Sequence, residues 1–219
     1  MSITATLLVA AMLQAAPPEP APKGPAEATE AKSAPTKKAA TPKSPPPKWL
    51  VDYNRERIDR SVEGMTALTV WAGANMLAGA IGWPLAEEEQ WQAFHSMNLA
   101  WGAVNLAIAL PSLVRNLNAD PATMSFADTL KAEEDMKAIL LLNAGLDVAY
   151  LTAGALLWER GDFGNDDVLT GIGQSLIIQG AFLLVFDIVM AVVTSDAKAD
   201  LYTRFREGGG AEVGFMGRF

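Results

Sequence analysis

The sequence predicts an all-α fold: a four-helix transmembrane bundle with a disordered Pro/Ala/Lys-rich N-terminal tail. Three observations lead there. Four segments are long and apolar enough to cross a hydrocarbon core, three tryptophans fall at matching helix ends, and 10 of the 13 prolines lie between Pro17 and Lys48. The mean hydropathy of the 219 residues is only +0.16, because a polar leader and an apolar body are averaged together. The chain has no cysteine, which excludes a disulfide scaffold, a Cys-ligated zinc and a thiol nucleophile. A single histidine excludes a multi-His metal site, and a net charge of −8 argues against nucleic acid as a partner.

Residues 1–16 read as a signal peptide: an apolar run from Ile3 to Leu13, too short to span a bilayer, then the small-residue exit Ala15-Ala16. No Lys or Arg precedes the run, and the competing reading is an uncleaved apolar N-terminus. Residues 17–48 carry six Lys and three Glu among their prolines and almost no bulky apolar side chain. With so little to bury, the segment cannot offset its ordering entropy, and it is expected to be a disordered spacer.

The membrane domain is expected over 49–195. Gly64–Ala86 has no charged residue in 23 positions, and Gln90–Val114 has only His95 in 25. Ala138–Trp158 has one charge, Asp147, and Val168–Ser195 has one, Asp187. At about 1.5 Å per residue, roughly 20 residues cross a core of about 30 Å, giving spans of about 65–83, 95–114, 137–158 and 171–193. A soluble bundle would need a charged face on each helix, and Gly64–Ala86 supplies none. Trp49–Glu63 reads as an amphipathic lead-in, lying at the interface or running straight into the first span. Asp120-Pro121 and Ser125 to Asp128 read as helix starts, so the third helix is expected to begin before its span. Residues 196–219 read as a polar, Gly-rich tail.

Trp83, Trp91 and Trp158 share one side of a four-pass hairpin arrangement, as an interfacial belt would. The loops on that side hold one basic residue, Arg160, against seven acidic ones. The positive-inside rule then puts both termini in the cytoplasm, whereas a cleaved signal peptide puts the mature N-terminus outside. The two indications oppose each other, and orientation stays open.

Every span carries a polar residue placed to face inward. These are Asn75 in the first, Asn98 and Asn105 seven apart in the second, Asn143 and Asp147 one turn apart in the third, and Gln179 with Asp187 in the fourth. Trp71-x-x-x-Asn75 and Trp101-x-x-x-Asn105 form a weak repeat. Amides bond across membrane helices at roughly 0.6 to 2 kcal/mol each. Two small-residue ridges, Ala74-Ala78-Gly82 and Gly145-Ala149-Ala153, are expected to let helices approach. That is the structural reading of the cluster. A carboxylate near the midplane costs about 3 kcal/mol on the insertion scale and usually has a task. Asp147 would either donate to Asn75 or Asn105, or join Asp187 in binding a proton, a cation or an amine-bearing ligand. His95 reads as a polar packing residue at an interface, the Asp162-Phe163-Gly164 and Gly171-Ile172-Gly173 strings lack a strand-loop-helix context, and Gly208–Gly210 reads as a flexible break.

Four strings carry a resemblance: Trp71-Ala72-x-Ala74-Asn75, Phe94-His95-x-Met97-Asn98-x-x-Trp101, Asn143-Ala144-Gly145-Leu146-Asp147-Val148-Ala149-Tyr150, and Gln179-Gly180-x-Phe182 through Asp187. Over about Asp52 to Val193 the chain resembles an uncharacterised family of small bacterial four-span integral membrane proteins, a domain of unknown function. The resemblance implies location in the bacterial inner membrane and a signal peptide, as members often have, but no activity. Three classes follow. The first is a structural or interaction protein, its partners the bilayer and a second copy or another membrane protein. The second is a proton-linked or small-ligand transporter-like protein using Asp147 and Asp187. The third, an enzyme, is least favoured: no nucleophile–base pair or metal set is visible, and no cofactor is implied.

Overall fold

Residues 45–208 are described by a computed structural model. The expected signal peptide, residues 17–44 of the expected spacer, and residues 209–219 lie outside them. Four helices follow one another: α1 (Lys48–Leu85), α2 (Glu89–Leu117), α3 (Phe126–Gly164) and α4 (Asp167–Glu207), with a 3-10 turn at Pro121–Thr123 before α3. All four are long and apolar enough to cross a membrane.

The helix limits follow from local chemistry. The Pro45-Pro46-Pro47 run ends where α1 begins, and the lead-in runs straight into the apolar stretch as one 38-residue helix. Asp120 accepts from the backbone N–H of Ala122, fixing the 3-10 turn. At α3, Ser125 and Asp128 form a reciprocal capping box, so that helix starts well before its apolar part. Asn165 ends α3 in the left-handed region at φ 52°, and Asp166 then caps α4 by accepting from Leu169 N–H. The stretch read as a polar tail from 196 is different. α4 continues through Glu207, because Leu201 is fully buried against Leu50 and Tyr53 of α1.

Packing is inside-out by the standard of a soluble protein. Val70, Leu77, Ile81, Ile108, Leu142, Leu156, Val185 and Val192 are exposed, while Asn, Gln, Asp, Ser and Thr side chains fill the interior. The interior positions recur every seven residues. Asn54, Ser61, Leu68 and Asn75 line α1, and Asn98 and Asn105 line α2. Glu133, Leu140, Asp147, Gly154 and Gly161 line α3, and Gly173, Gly180, Asp187, Thr194 and Leu201 line α4. A strict heptad is the seam of antiparallel helices crossing at a shallow angle. The backbones pair α1 with α2, α2 with α4, and α3 with α4.

Of the two expected small-residue ridges, only Gly82 makes a close approach, against the His95 ring. Ala74, Ala78, Gly145, Ala149 and Ala153 face outward, and nothing lies within 4 Å of a Cβ placed on Gly145. Other glycines make the close approaches. Gly79 meets the backbone of His95 and Leu99, Gly102 that of Ala72 and Met76, and Gly154 and Gly173 meet each other's helices.

Candidate functional site

Three polar layers are stacked along the bundle axis. The first joins α1, α2 and α4. Gln179 donates to Asn75 Oδ1 at 2.6 Å and to Asn98 Oδ1 at 2.8 Å. It accepts from the Trp71 indole N–H at 3.0 Å. Ser175 donates to the same Asn98 oxygen at 2.8 Å, and the Asn75 amide donates to the Trp71 carbonyl one turn back. Trp71 is held in place by stacking on Phe182, centroids 3.9 Å apart. Every bond in this layer has a buried partner, as amides in an apolar surround require. Asn75 is therefore committed to Gln179 and Trp71 and is not a partner of Asp147, contrary to one expectation.

The second layer lies between α2, α3 and α4, further toward the end of the bundle that holds the start of α1. Asp147 and Asp187 are both buried, and their carboxyl groups lie within hydrogen-bonding reach of each other. The geometry has a simple cause. Cα–Cβ bonds tilt toward the N-terminus of each helix, and α3 and α4 run antiparallel, so the two side chains lean toward one another. Asn143, half-buried one turn before Asp147, lies beside the Asp187 carboxyl. Two carboxyl groups bond to each other only through a proton, since ionised carboxylates are acceptors alone. From α2, Trp101 meets Tyr150 edge-on at 5.0 Å, and Asn105 is buried one turn further along. Trp101 Nε1, Asn105 Nδ2 and Asp147 Oδ2 are buried without a protein partner.

The third layer sits at the end formed by the starts of α1 and α3 and the close of α4, and sequence reading missed it. The Tyr53 hydroxyl donates to Glu133 Oε1 at 2.6 Å and lies 3.0 Å from the Ala197 carbonyl. Arg60 donates to the same Glu133 oxygen at 2.8 Å. Thr129 donates to Asn54 Oδ1 at 3.0 Å, and the Arg60 and Arg204 guanidiniums lie over the Tyr53 ring, 5.6 and 5.7 Å from its centroid. Burial, then the hydrogen bond to the Glu133 carboxylate, pushes the Tyr53 phenol well above its ordinary range. Burial likewise holds the Arg57 guanidinium below its usual value. Glu133 sits in a charged run between Lys131 and Lys137 that sequence reading leaves unassigned. The signal that finds it is its register, fourteen residues before Asp147 on the same heptad stripe.

The remaining candidates resolve as packing. His95 lies against Gly82, with Phe94 and Trp91 beside it. The Asp162-Phe163-Gly164 string is the last turn of α3, where Asp162 accepts from Thr170 at 3.3 Å. Gly171 and Gly173 are close-approach positions of α4 against α2 and α3. Among the described residues, no three His, Asp or Glu side chains group as a metal site needs. An apolar groove between α1 and α4, lined by Ala67, Phe182, Val185, Phe186 and Val189, opens on the outer surface and reaches neither aspartate.

Compared with known proteins, residues 67–188 match the model of a family of unknown function, DUF6992. That stretch holds Asn75, Asn98, Asn105, Asn143, Asp147, Gln179 and Asp187. No curated protein and no solved structure matches the chain.

Proposed function

Because the chain belongs to the family of unknown function DUF6992, we propose its role from its own residues: a four-span integral protein of the bacterial inner membrane with a structural or interaction task. The observation that carries this reading is the closed first layer. Trp71, Asn75, Asn98, Ser175 and Gln179 satisfy one another across three helices, while the outer faces expose large apolar side chains. A bundle that seals its polar groups inside and turns leucine, isoleucine and valine outward suits lipid as its solvent. The partners on this reading are the bilayer and a second copy or another membrane protein. In-membrane photo-crosslinking of the full chain, from probes along the outward face of α3, tests it. The expected result is a discrete adduct, to itself or to one protein. Adducts to lipid alone overturn the interaction role.

A second reading is favoured by one observation, the contact between the Asp147 and Asp187 carboxyls. A buried pair of this kind suits a proton-linked or small-ligand protein. Carbodiimide labelling of the purified protein across pH tests it. Modification at either aspartate that fades as pH rises supports this reading. Silence at both, with loop carboxylates reacting, removes it.

A further inference from the structure

The Trp-x-x-x-Asn pair occurs twice, and only one copy is answered by another side chain. In the first, Gln179 accepts from Trp71 and donates to Asn75. In the second, the indole N–H of Trp101 and the amide nitrogen of Asn105 have no partner, although each residue is only 4 % exposed. Asp147, 3 % exposed, has an unpartnered carboxyl oxygen as well. Buried polar atoms are rarely left so, and three in one layer call for a common explanation.

Helix register sets the three residues at neighbouring levels of the bundle. Trp101 meets Tyr150 ring to ring. Asn105 lies one turn after Trp101, and Asp147 one turn before Tyr150, in helices that run in opposite directions. Both therefore fall on the same side of that ring contact, displaced along the axis by about 6 and 4.5 Å at 1.5 Å per residue. Each leans toward the start of its own helix, so the two side chains lean toward each other. Asn105 and Asp147 thus lean toward a common point beside the carboxyl pair, with Trp101 buried one turn back along α2.

That set matches one ligand well. A water accepts from Trp101 and Asn105 with its lone pairs and donates to Asp147, making the three hydrogen bonds usual for a buried water. Two N–H groups turn positive hydrogens toward the point, which disfavours a metal ion or an ammonium there. Resting on the second reading above, we propose that this layer is a proton-binding site: Asp147 and Asp187 hold one proton between them, and Trp101 and Asn105 position a water against the pair. The loaded site is one carboxylic acid and one carboxylate. Release leaves two carboxylates and passes the proton to the water as hydronium. Trp101 and Asn105 are positioning residues. Tyr150 is the one other titratable side chain against the pair among the described residues. Along this stretch α1 brings Leu68, Ala72 and Asn75 to the interior, α2 brings Trp101 and Asn105, and α4 adds Leu183 and Ala191, all uncharged.

Infrared difference spectra of the full-length protein in lipid bilayers, recorded across pH in H2O and D2O, test the proposal. The expected wild-type result is a protonated-carboxyl C=O band that loses intensity as pH rises, moves in D2O, and disappears in D147N and D187N. Trp101→Phe keeps the ring contact with Tyr150 and removes only the N–H. In it, and in Asn105→Leu, the band is expected at higher frequency, because the carboxyl loses its hydrogen bond to water. Asn105→Leu carries the test alone if W101F fails to fold. A wild-type band frequency in both variants overturns the positioned water while leaving a proton-binding pair. Absence of any pH-dependent carboxyl band in wild type overturns the proposal and the second reading together.

Discussion

Glu133 shows how one residue joins three helices. Its carboxylate, 3 % exposed, accepts from Tyr53 and Arg60 of α1, and the Tyr53 hydroxyl also meets Ala197 of α4. Replacing Glu133 by Ala leaves a buried hydroxyl short of its main acceptor and an arginine without its anion. The expected cost is about 1–3 kcal/mol, read as a lowered unfolding midpoint in detergent, while Glu134→Ala, at an exposed ion pair with Lys198, costs less than about 1 kcal/mol. Tyr53 gives a pH prediction of definite sign. Its folded-state value is raised above the ordinary 10.0 by burial and by the Glu133 carboxylate, so the unfolded chain loses this proton first. The stability it contributes is complete below about pH 10 and falls as pH rises beyond that. Thermal unfolding measured from pH 8 to 11 should show this alkaline loss in wild type and a smaller one in Tyr53→Phe.

Helix against helix, the small residues decide the approach, and of those the sequence pattern singled out Gly82 alone does so, against the His95 ring. A Cβ on Gly154 would sit 2.9 Å from the Gly173 carbonyl and 3.0 Å from Ile177. Gly154→Ala should therefore force α3 from α4, at about 1–3 kcal/mol. Nothing lies within 4 Å of a Cβ on Gly73 or Gly145. There alanine should be neutral or stabilising by about 0.5–1 kcal/mol, since glycine is the costlier residue inside a helix. Unfolding of the three single variants side by side checks both directions. The ridge pattern was misleading because i, i+4 spacing marks a helical stripe without saying which way the stripe faces. The heptad that passes through Glu133, Leu140, Asp147, Gly154 and Gly161 carries the facing information, and it is legible in the sequence once Asp147 is taken as an interior residue.

At the scale of the molecule, the bundle is a stack of polar layers in an apolar coat. Gln179 is the hub of the first layer, with three side-chain bonds. Its replacement by Leu should cost about 2 kcal/mol, at roughly 0.6 kcal/mol or more for each bond between such helices, with the loss visible as earlier unfolding in dodecyl sulfate. On the proposed four-span arrangement, both ends of the helical domain lie on one side. The natural chain has no cysteine, so single cysteines at Lys48, Glu89, Asp162 and Glu207 can be tested with a membrane-impermeant maleimide in sealed vesicles. Positions 48 and 207 should label together, and 89 and 162 together with the opposite accessibility. Labelling of all four from one side would contradict a four-span arrangement.

Local sequence dictates the helices, the polar residues within them and most of their limits, though not the close of α4, which runs on through Glu207. Apolar run length, proline placement and caps such as Ser125 are local properties that neighbouring residues dictate. It also marked Asp147 and Asp187, because a charge in an apolar run is visible without a partner. Only the tertiary structure decided who meets whom. Gln179 closes a layer with Asn75 and Asn98, the two aspartates face each other, Glu133 joins the starts of α1 and α3 to the end of α4, and Trp101 and Asn105 are left without a protein partner. These pairings join residues up to 144 positions apart. They depend on the rotation and vertical offset of each helix against its neighbours, and no short stretch of sequence encodes those quantities.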